Sequence, residues 1–161
     1  MRPLVQALRQ QQRLDVDYVG VSRPHREGRI IIPSQFVKSG GRWHLRAWCE
    51  LAGAYRDFVL SRFRGEPDIV GTPSSPPPED VAWHTQVTLV LKADPRLSDA
   101  QQEALAYDYD MIDGQLTIQT RAALANYLLQ ELQVNVKMLD GNPAAQQLIL
   151  ANINDVQQWL F

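Results

Sequence analysis

Arg46, Arg56 and Arg62 stand inside two strand-like runs of aromatic and aliphatic residues, Arg42 to Cys49 and Tyr55 to Phe63, joined by a turn that carries Gly53. A hairpin needs only apolar alternation on one face, so arginines in this company suggest a surface built to meet an anion. A guanidinium is planar, forked and always charged, which suits bidentate hydrogen bonding to phosphate and stacking on bases. Of the twelve basic residues before Gly71, only Lys38 is a lysine. Tyr18, Trp43, Trp48, Tyr55 and Phe58 could supply stacking faces beside them. For any single arginine the plainer reading is an outward position, with Trp43, Leu45 and Ala47 filling the core while Arg42, His44, Arg46 and Trp48 face out. For the set, recurring on adjacent strands, an anion site is favoured. His44 could donate to a phosphate or report protonation, or be an ordinary surface-strand histidine. Ser22-Arg23-Pro24 is a plain turn unless its loop folds over the mouth of the domain.

Enzyme templates fail on this sequence. There is no glycine-rich phosphate loop, no His-Glu-x-x-His, no paired CxxC and no Gly-x-Ser-x-Gly. His25, His44 and His84 lack the spacing of metal ligands on one element. Asp108 and Asp110 flank Tyr109 at a helix end and read as solvated carboxylates. No catalytic residue, metal or cofactor is therefore expected. Cys49 sits at a strand end near Glu50, with Arg46 taken to share its face, and reads as an inert, partly buried thiol. A single cysteine allows no internal disulfide and fits a reducing cytoplasm. No apolar run is long enough to span a bilayer, and no basic-then-apolar leader opens the chain.

The elements that must position these residues fall into two parts. At 161 residues the chain can form one domain or two small ones. The net charge of −2 hides an asymmetry: residues 1–71 carry 12 Lys/Arg against 7 Asp/Glu, and residues 72–161 carry 4 against 11. The charge changes sign at Gly71-Thr-Pro-Ser-Ser-Pro-Pro-Pro-Glu-Asp80, where prolines remove backbone donors and fix φ. The expected organisation is a basic domain over 1–70, a proline-rich linker over 71–80 and an acidic domain over 81–161. Any anionic ligand should meet the first of these.

In the basic part, Pro3 to Gln12 reads as a helix with Leu4, Val5 and Leu8 on one face. Leu14 to Tyr18 alternates as a strand, and Arg29 to Pro33 is a β-branched run expected to stop at its proline. With Arg42 to Cys49 and Tyr55 to Phe63, and glycines Gly20, Gly28, Gly40, Gly41 and Gly53 at the joints, this best suits a small Sm-like or SH3-like barrel behind a leading helix. In the acidic part the expected elements are a strand over His84 to Lys92, a helix capped by Ser98 and running to about Tyr109, and a strand over Gln115 to Gln119. A leucine-faced helix over Arg121 to Gln133 follows, either packing within the domain or serving a dimer interface. Val134 to Leu139 could be a short strand, Ala144 to Asn152 helix or strand, and Asn154 to Phe161 a last helical turn or two. The fold class is mainly β, joined to a small α+β unit.

The same residues resemble the WYL-domain transcriptional regulators, in particular the phage-defence type that controls BREX and CBASS operons. The resemblance is carried by Tyr18-x-Gly-Val-Ser-Arg-Pro24, Ile32-Pro33, Gly41-Arg-Trp-His-Leu-Arg-Ala-Trp-Cys49 and Arg56-Asp-Phe-Val-Leu-Ser-Arg62. The triad that names the family stands here as Trp43-His44-Leu45. The acidic part resembles the C-terminal WCX extension, with weaker motifs. The resemblance implies an Sm-like barrel that senses a nucleotide or nucleic-acid effector, a homodimer, and DNA contact only through an N-terminal winged helix-turn-helix, which residues 1–161 do not contain. The chain then reads as a fragment of a longer regulator. The ligand residues it implies are Tyr18, Ser22, His44, Arg46 and Arg62, with Arg23 and Arg56 beside them. One departure is Ser34, where the subgroup often has a histidine after the proline. The implied function is the sensing and dimerisation module of a repressor; the alternative is a stand-alone module that binds single-stranded nucleic acid.

Overall fold

The computed structural model describes residues 1–22 and 24–160. The polypeptide divides into two compact units, Met1–Glu79 and Asp80–Phe161.

Unit 1 opens with helix α1 (Arg2–Gln10), which has a proline in its first turn and turns Leu4 and Ala7 into the core. Gln11 ends it in the left-handed conformation, and the Gln12 amide closes the last turn onto the Ala7 carbonyl at 2.9 Å. Five strands follow: β1 (Arg13–Tyr18), β2 (Glu27–Ser39), β3 (Arg42–Cys49), β4 (Ala54–Val59) and β5 (Phe63–Gly71). They form one antiparallel sheet in the order β4-β3-β2-β1-β5. The β2–β3 hairpin closes on Gly40 and Gly41, both at positive φ, as a two-residue turn with matching twist requires. Leu14, Val16, Tyr18, Ile31, Leu45, Ala47, Cys49 and Phe58 form the core with α1.

Four expectations for this unit change. The strand expected to stop at Pro33 runs through it to Ser39. The ladder to β1 ends at Ile31, so the missing proline N–H faces no partner there, and a register shift between Pro33 and Gln35 takes up Ser34. Gly28 accordingly lies inside β2 rather than at a joint. The run from Tyr55 to Phe63 is not one strand: a 3-10 turn, Leu60–Arg62, separates β4 from β5. The barrel is not closed by hydrogen bonding, since among the described residues no ladder joins β4 to β5. The sheet nevertheless curls, because the Val59 amide on β4 donates to the Tyr18 hydroxyl on β1 at 3.0 Å, across two intervening strands.

Unit 2 is α+β. Helix α2 (Val81–His84) leads into β6 (Gln86–Ala93), α3 (Asp99–Asp108), β7 (Gln115–Arg121), a 3-10 turn (Ala122–Leu124), α4 (Ala125–Glu131), β8 (Leu148–Leu150) and α5 (Ile153–Val156). The three strands pair antiparallel in the order β7-β6-β8. Ser98 and Gln101 form a full capping box on α3. Ala125 and Leu129 of α4 lie in the core with Leu89, Leu91 and Leu148, and Leu128 and Leu132 pack half-buried against it. Val134 to Leu139 is not a strand; no ladder takes it up. A buried carboxylate braces the segment beyond it. Asp94 is 1% exposed and pairs with Arg96 at 2.7 Å, and Arg96 also donates to the carbonyls of Asp140 and Gly141.

A candidate anion-binding face on unit 1

Strand β3 is buried on both faces, and this places the site. Leu45, Ala47 and Cys49 point into the core. The alternate residues His44 and Arg46 lie on the other face and are also buried, 6% and 7% exposed. Trp43, expected to fill the core, is instead half-exposed with Lys38 over its ring at 5.9 Å, since the hairpin end extends beyond the packed layer. Cys49 is fully buried; Arg46 is on the opposite face, and the guanidinium near the thiol is Arg29, whose Nη1 lies 3.9 Å from Sγ.

The cross-strand register sets Arg46 against Asp57, and Arg46 Nη1 pairs with Asp57 Oδ1 at 3.0 Å. The Arg46 guanidinium also lies 5.7 Å from the centre of the Tyr55 ring. Ser34, the residue taken up by the irregularity in β2, donates from its hydroxyl to the Arg46 carbonyl at 3.0 Å. His44 is held below its ordinary proton affinity, first by burial, and further by the charges of Arg42 and Arg62; Asp57 and a hydrogen bond with the Val37 backbone act the other way. Arg62 is thus one of the charges that act on His44, after burial, Asp57 and Arg42.

The register also bears on the position of Arg62. In β4 it is Tyr55, Asp57 and Val59 that oppose Trp48, Arg46 and His44. An unbroken strand to Phe63 would set Arg62, like Arg56, on the face away from Arg46. The 3-10 turn at Leu60–Arg62 breaks that parity.

Tyr18, Ser22 and Arg56 line an open depression of about 530 Å3, together with His25, Arg29 and Phe58 and with Asp57, the carboxylate that pairs with Arg46. Tyr18 is not a free stacking face: its ring meets Phe58 and Phe63 edge-on at 5.0 and 5.4 Å, and its hydroxyl is held by Val59. The loop that carries Ser22 is tied down by Arg26, whose Nε donates to Asp17 at 2.6 Å. Arg23 lies outside the described residues. Of the six described residues singled out from sequence, His44 and Arg46 share one face of β3, Tyr18, Ser22 and Arg56 line the depression that Asp57 also borders, and Arg62 lies in the 3-10 turn. Asp57 and Arg29 were missed; the cross-strand register of Asp57 with Arg46 is a signal that only the pairing reveals.

The arginines differ in how they are committed. Arg13, Arg26, Arg29 and Arg46 each pair with a carboxylate, to Glu50, Asp17, Glu27 and Asp57. Among the described residues Arg42, Arg56 and Arg62 form no ion pair, and Arg62 is half-buried. A partly desolvated guanidinium without a counter-charge is a candidate partner for an anion. Among the described residues no group of three His, Cys, Asp or Glu side chains could hold a metal ion. Among the same residues no helix is long and apolar enough to cross a membrane.

Comparison with known proteins fits this geometry into a class. Residues 1–65 match the WYL domain family, and residues 86–156 match the family described as the BrxR transcriptional regulator, C-terminal dimerization domain. The chain thus carries a WYL domain followed by a BrxR-type C-terminal dimerization domain. Among individual proteins it is similar to the DNA-binding transcriptional repressor CapW of Escherichia coli strain KTE188, with 37% identity over 95% of this chain and 51% of that protein. CapW of Pseudomonas aeruginosa is 34% identical over 96% of this chain and 51% of its own length. The chain spans about half the length of the curated relatives it matches. A solved structure, the proteasome accessory factor PafBC of Arthrobacter aurescens, covers 99% of this chain with a TM-score of 0.41 and 19% identity, and 25% of its own chain is matched. That likeness is too weak to carry an argument.

Proposed function

We propose that these residues are the effector-sensing and dimerisation part of a CapW-like repressor of a phage-defence operon. In this reading residues 1–70 form a curled, Sm-like sensing domain, 71–80 a linker and 81–161 the part that joins two copies. DNA would be contacted through an N-terminal winged helix-turn-helix preceding these residues. The module works by binding rather than by catalysis, in the cytoplasm. The effector is a nucleotide or short nucleic acid whose phosphate enters beside His44 and takes Arg62 and Arg46 as its cations. Tyr18, Ser22 and Arg56 would hold a further part of a larger effector.

One observation carries this reading: Arg62 is half-buried and has no ion pair among the described residues, on the same unit as the buried His44 and Arg46 of β3. Arg46 already has Asp57, so the effector would share that arginine rather than find it vacant. For the effector to act on DNA binding it must prefer one state of the dimer, and a difference of about 1–3 kcal/mol is the usual scale of such coupling.

The test is binding of mono- and dinucleotides and of single-stranded oligonucleotides at two salt concentrations, with Arg46→Ala and Arg62→Ala beside the parent. Selective binding that both changes abolish supports the sensor. Binding that is unselective and falls steeply with salt supports a general single-strand binder instead. No binding of either class overturns the anion site, and turnover of a nucleotide overturns the non-catalytic reading.

A further inference from the structure

The proline-rich segment after β5 does not leave unit 1 directly. It passes back over the sheet, and between it and the sheet is a depression of about 600 Å3 lined by Arg13, Ile32, Trp48 and Glu50 on one side and by residues 72–78 on the other. The Tyr55 hydroxyl donates to the Pro78 carbonyl at 2.6 Å. The Tyr55 ring meets Trp48 edge-on at 5.3 Å. Aromatic rings that flank a groove and donate to a proline carbonyl are a recurring way to hold an extended proline-rich segment, which loses little entropy when it docks. The same Tyr55 ring lies against the Arg46 guanidinium at 5.7 Å.

We propose that Tyr55 is a clasp that joins the anion-binding face to the linker. Its ring is positioned by Arg46 and its hydroxyl holds Pro78, the residue two positions before unit 2 begins. An anion that draws Arg46 away from Asp57 and from the ring removes the support under Tyr55 and frees residues 72–78. The segment that leads into unit 2 then changes from a strap to a flexible tether. The effect of the anion rests on the effector reading above; the clasp itself does not.

The experiment separates the two. Backbone 15N relaxation is measured at Ser74 and Ser75 in the whole chain, for the parent, Tyr55→Phe and Arg46→Lys, with and without pyrophosphate. Tyr55→Phe keeps the ring and removes the donor; Arg46→Lys keeps the charge and removes the planar guanidinium. Without ligand, the order parameters of both variants are expected to fall from about 0.85, typical of rigid backbone, to below about 0.6 at Ser74 and Ser75. Those of Leu45 and Ala47 in the core should stay unchanged, which shows that the fold is intact. Order parameters at Ser74 and Ser75 equal to the parent in Tyr55→Phe overturn the clasp, and equality in Arg46→Lys overturns the link to Arg46. Pyrophosphate is expected to loosen the strap in the parent and to add nothing in Tyr55→Phe. If pyrophosphate shifts the Arg62 resonances and leaves Ser74 and Ser75 rigid, transmission through the clasp is overturned and the effector reading stands. If it shifts nothing near Arg62, the effector reading fails, and the ligand-free variants still decide the clasp.

Discussion

The two units use arginine in opposite ways. In unit 2 both arginines are committed. Arg96 is held by Asp94 and by two carbonyls of the segment it braces. Arg121 donates to the Trp83 carbonyl at 2.8 Å while lying 4.6 Å from the centre of that residue's ring. In unit 1 some arginines are equally committed, but Arg42, Arg56 and Arg62 have no ion pair among the described residues. Identical side chains are thus structural where a carboxylate, a carbonyl or a ring holds them, and candidates for a ligand where none of these does. Composition alone gives the basic and acidic halves; pairing separates scaffold from site.

This contrast can be broken in order of effect. Asp94→Ala should cost the most, about 3 kcal/mol in urea unfolding, because a buried carboxylate that accepts charged and backbone hydrogen bonds is removed. Arginine hydrogen bonding holds the Asp94 carboxyl below its usual range. Its stabilising effect is therefore complete above the unfolded value of about 3.9 and lost as pH falls through the lower folded value. His44 titrates at a different pH. Burial lowers its folded affinity for a proton, so the unfolded chain binds the proton first. The stability this gives is present above about pH 6.5 and is lost as pH falls through the lower folded value, and His44→Gln should flatten that decline. Glu50→Gln, which loses a partly exposed pair with Arg13, should cost below about 1 kcal/mol in the same urea assay. Arg62→Met should change stability least, by about 0.5 kcal/mol or less. A loss with Arg62→Met as large as that with Asp94→Ala would erase the distinction between the units.

Much of this was legible in the chain. The alternation of Leu14, Val16 and Tyr18 gives β1, and β3 runs over the expected Arg42 to Cys49. Ser98 marks the start of α3 because its hydroxyl and the Gln101 side chain satisfy each other's backbone amides. What was missed has a physical cause in each case. Strand β5 contains Gly65, Glu66 and Pro67, which oppose strand propensity; they fall in an irregularity of the ladder, and pairing with β1 at Phe63 and Arg64 on one side and Asp68 and Ile69 on the other keeps the strand. Val134 to Leu139 has apolar residues at strand spacing but no neighbour to pair with. Pro33 reads as a stop because the sequence does not show that the β1 ladder ends two residues earlier. The candidate site suffered most from one such detail. Strand parity sets Arg62 apart from Arg46, and a three-residue 3-10 turn, which carries no strong sequence signal, breaks that parity.

The central claim is that an anion is bound beside His44 by Arg62 and Arg46. The most direct test is the His44 ring titration, followed by NMR with and without saturating pyrophosphate. A bound anion at that position favours the imidazolium, so the His44 pKa should rise on binding, and the rise should vanish in Arg62→Ala. A His44 titration that does not move while pyrophosphate is bound would contradict the account.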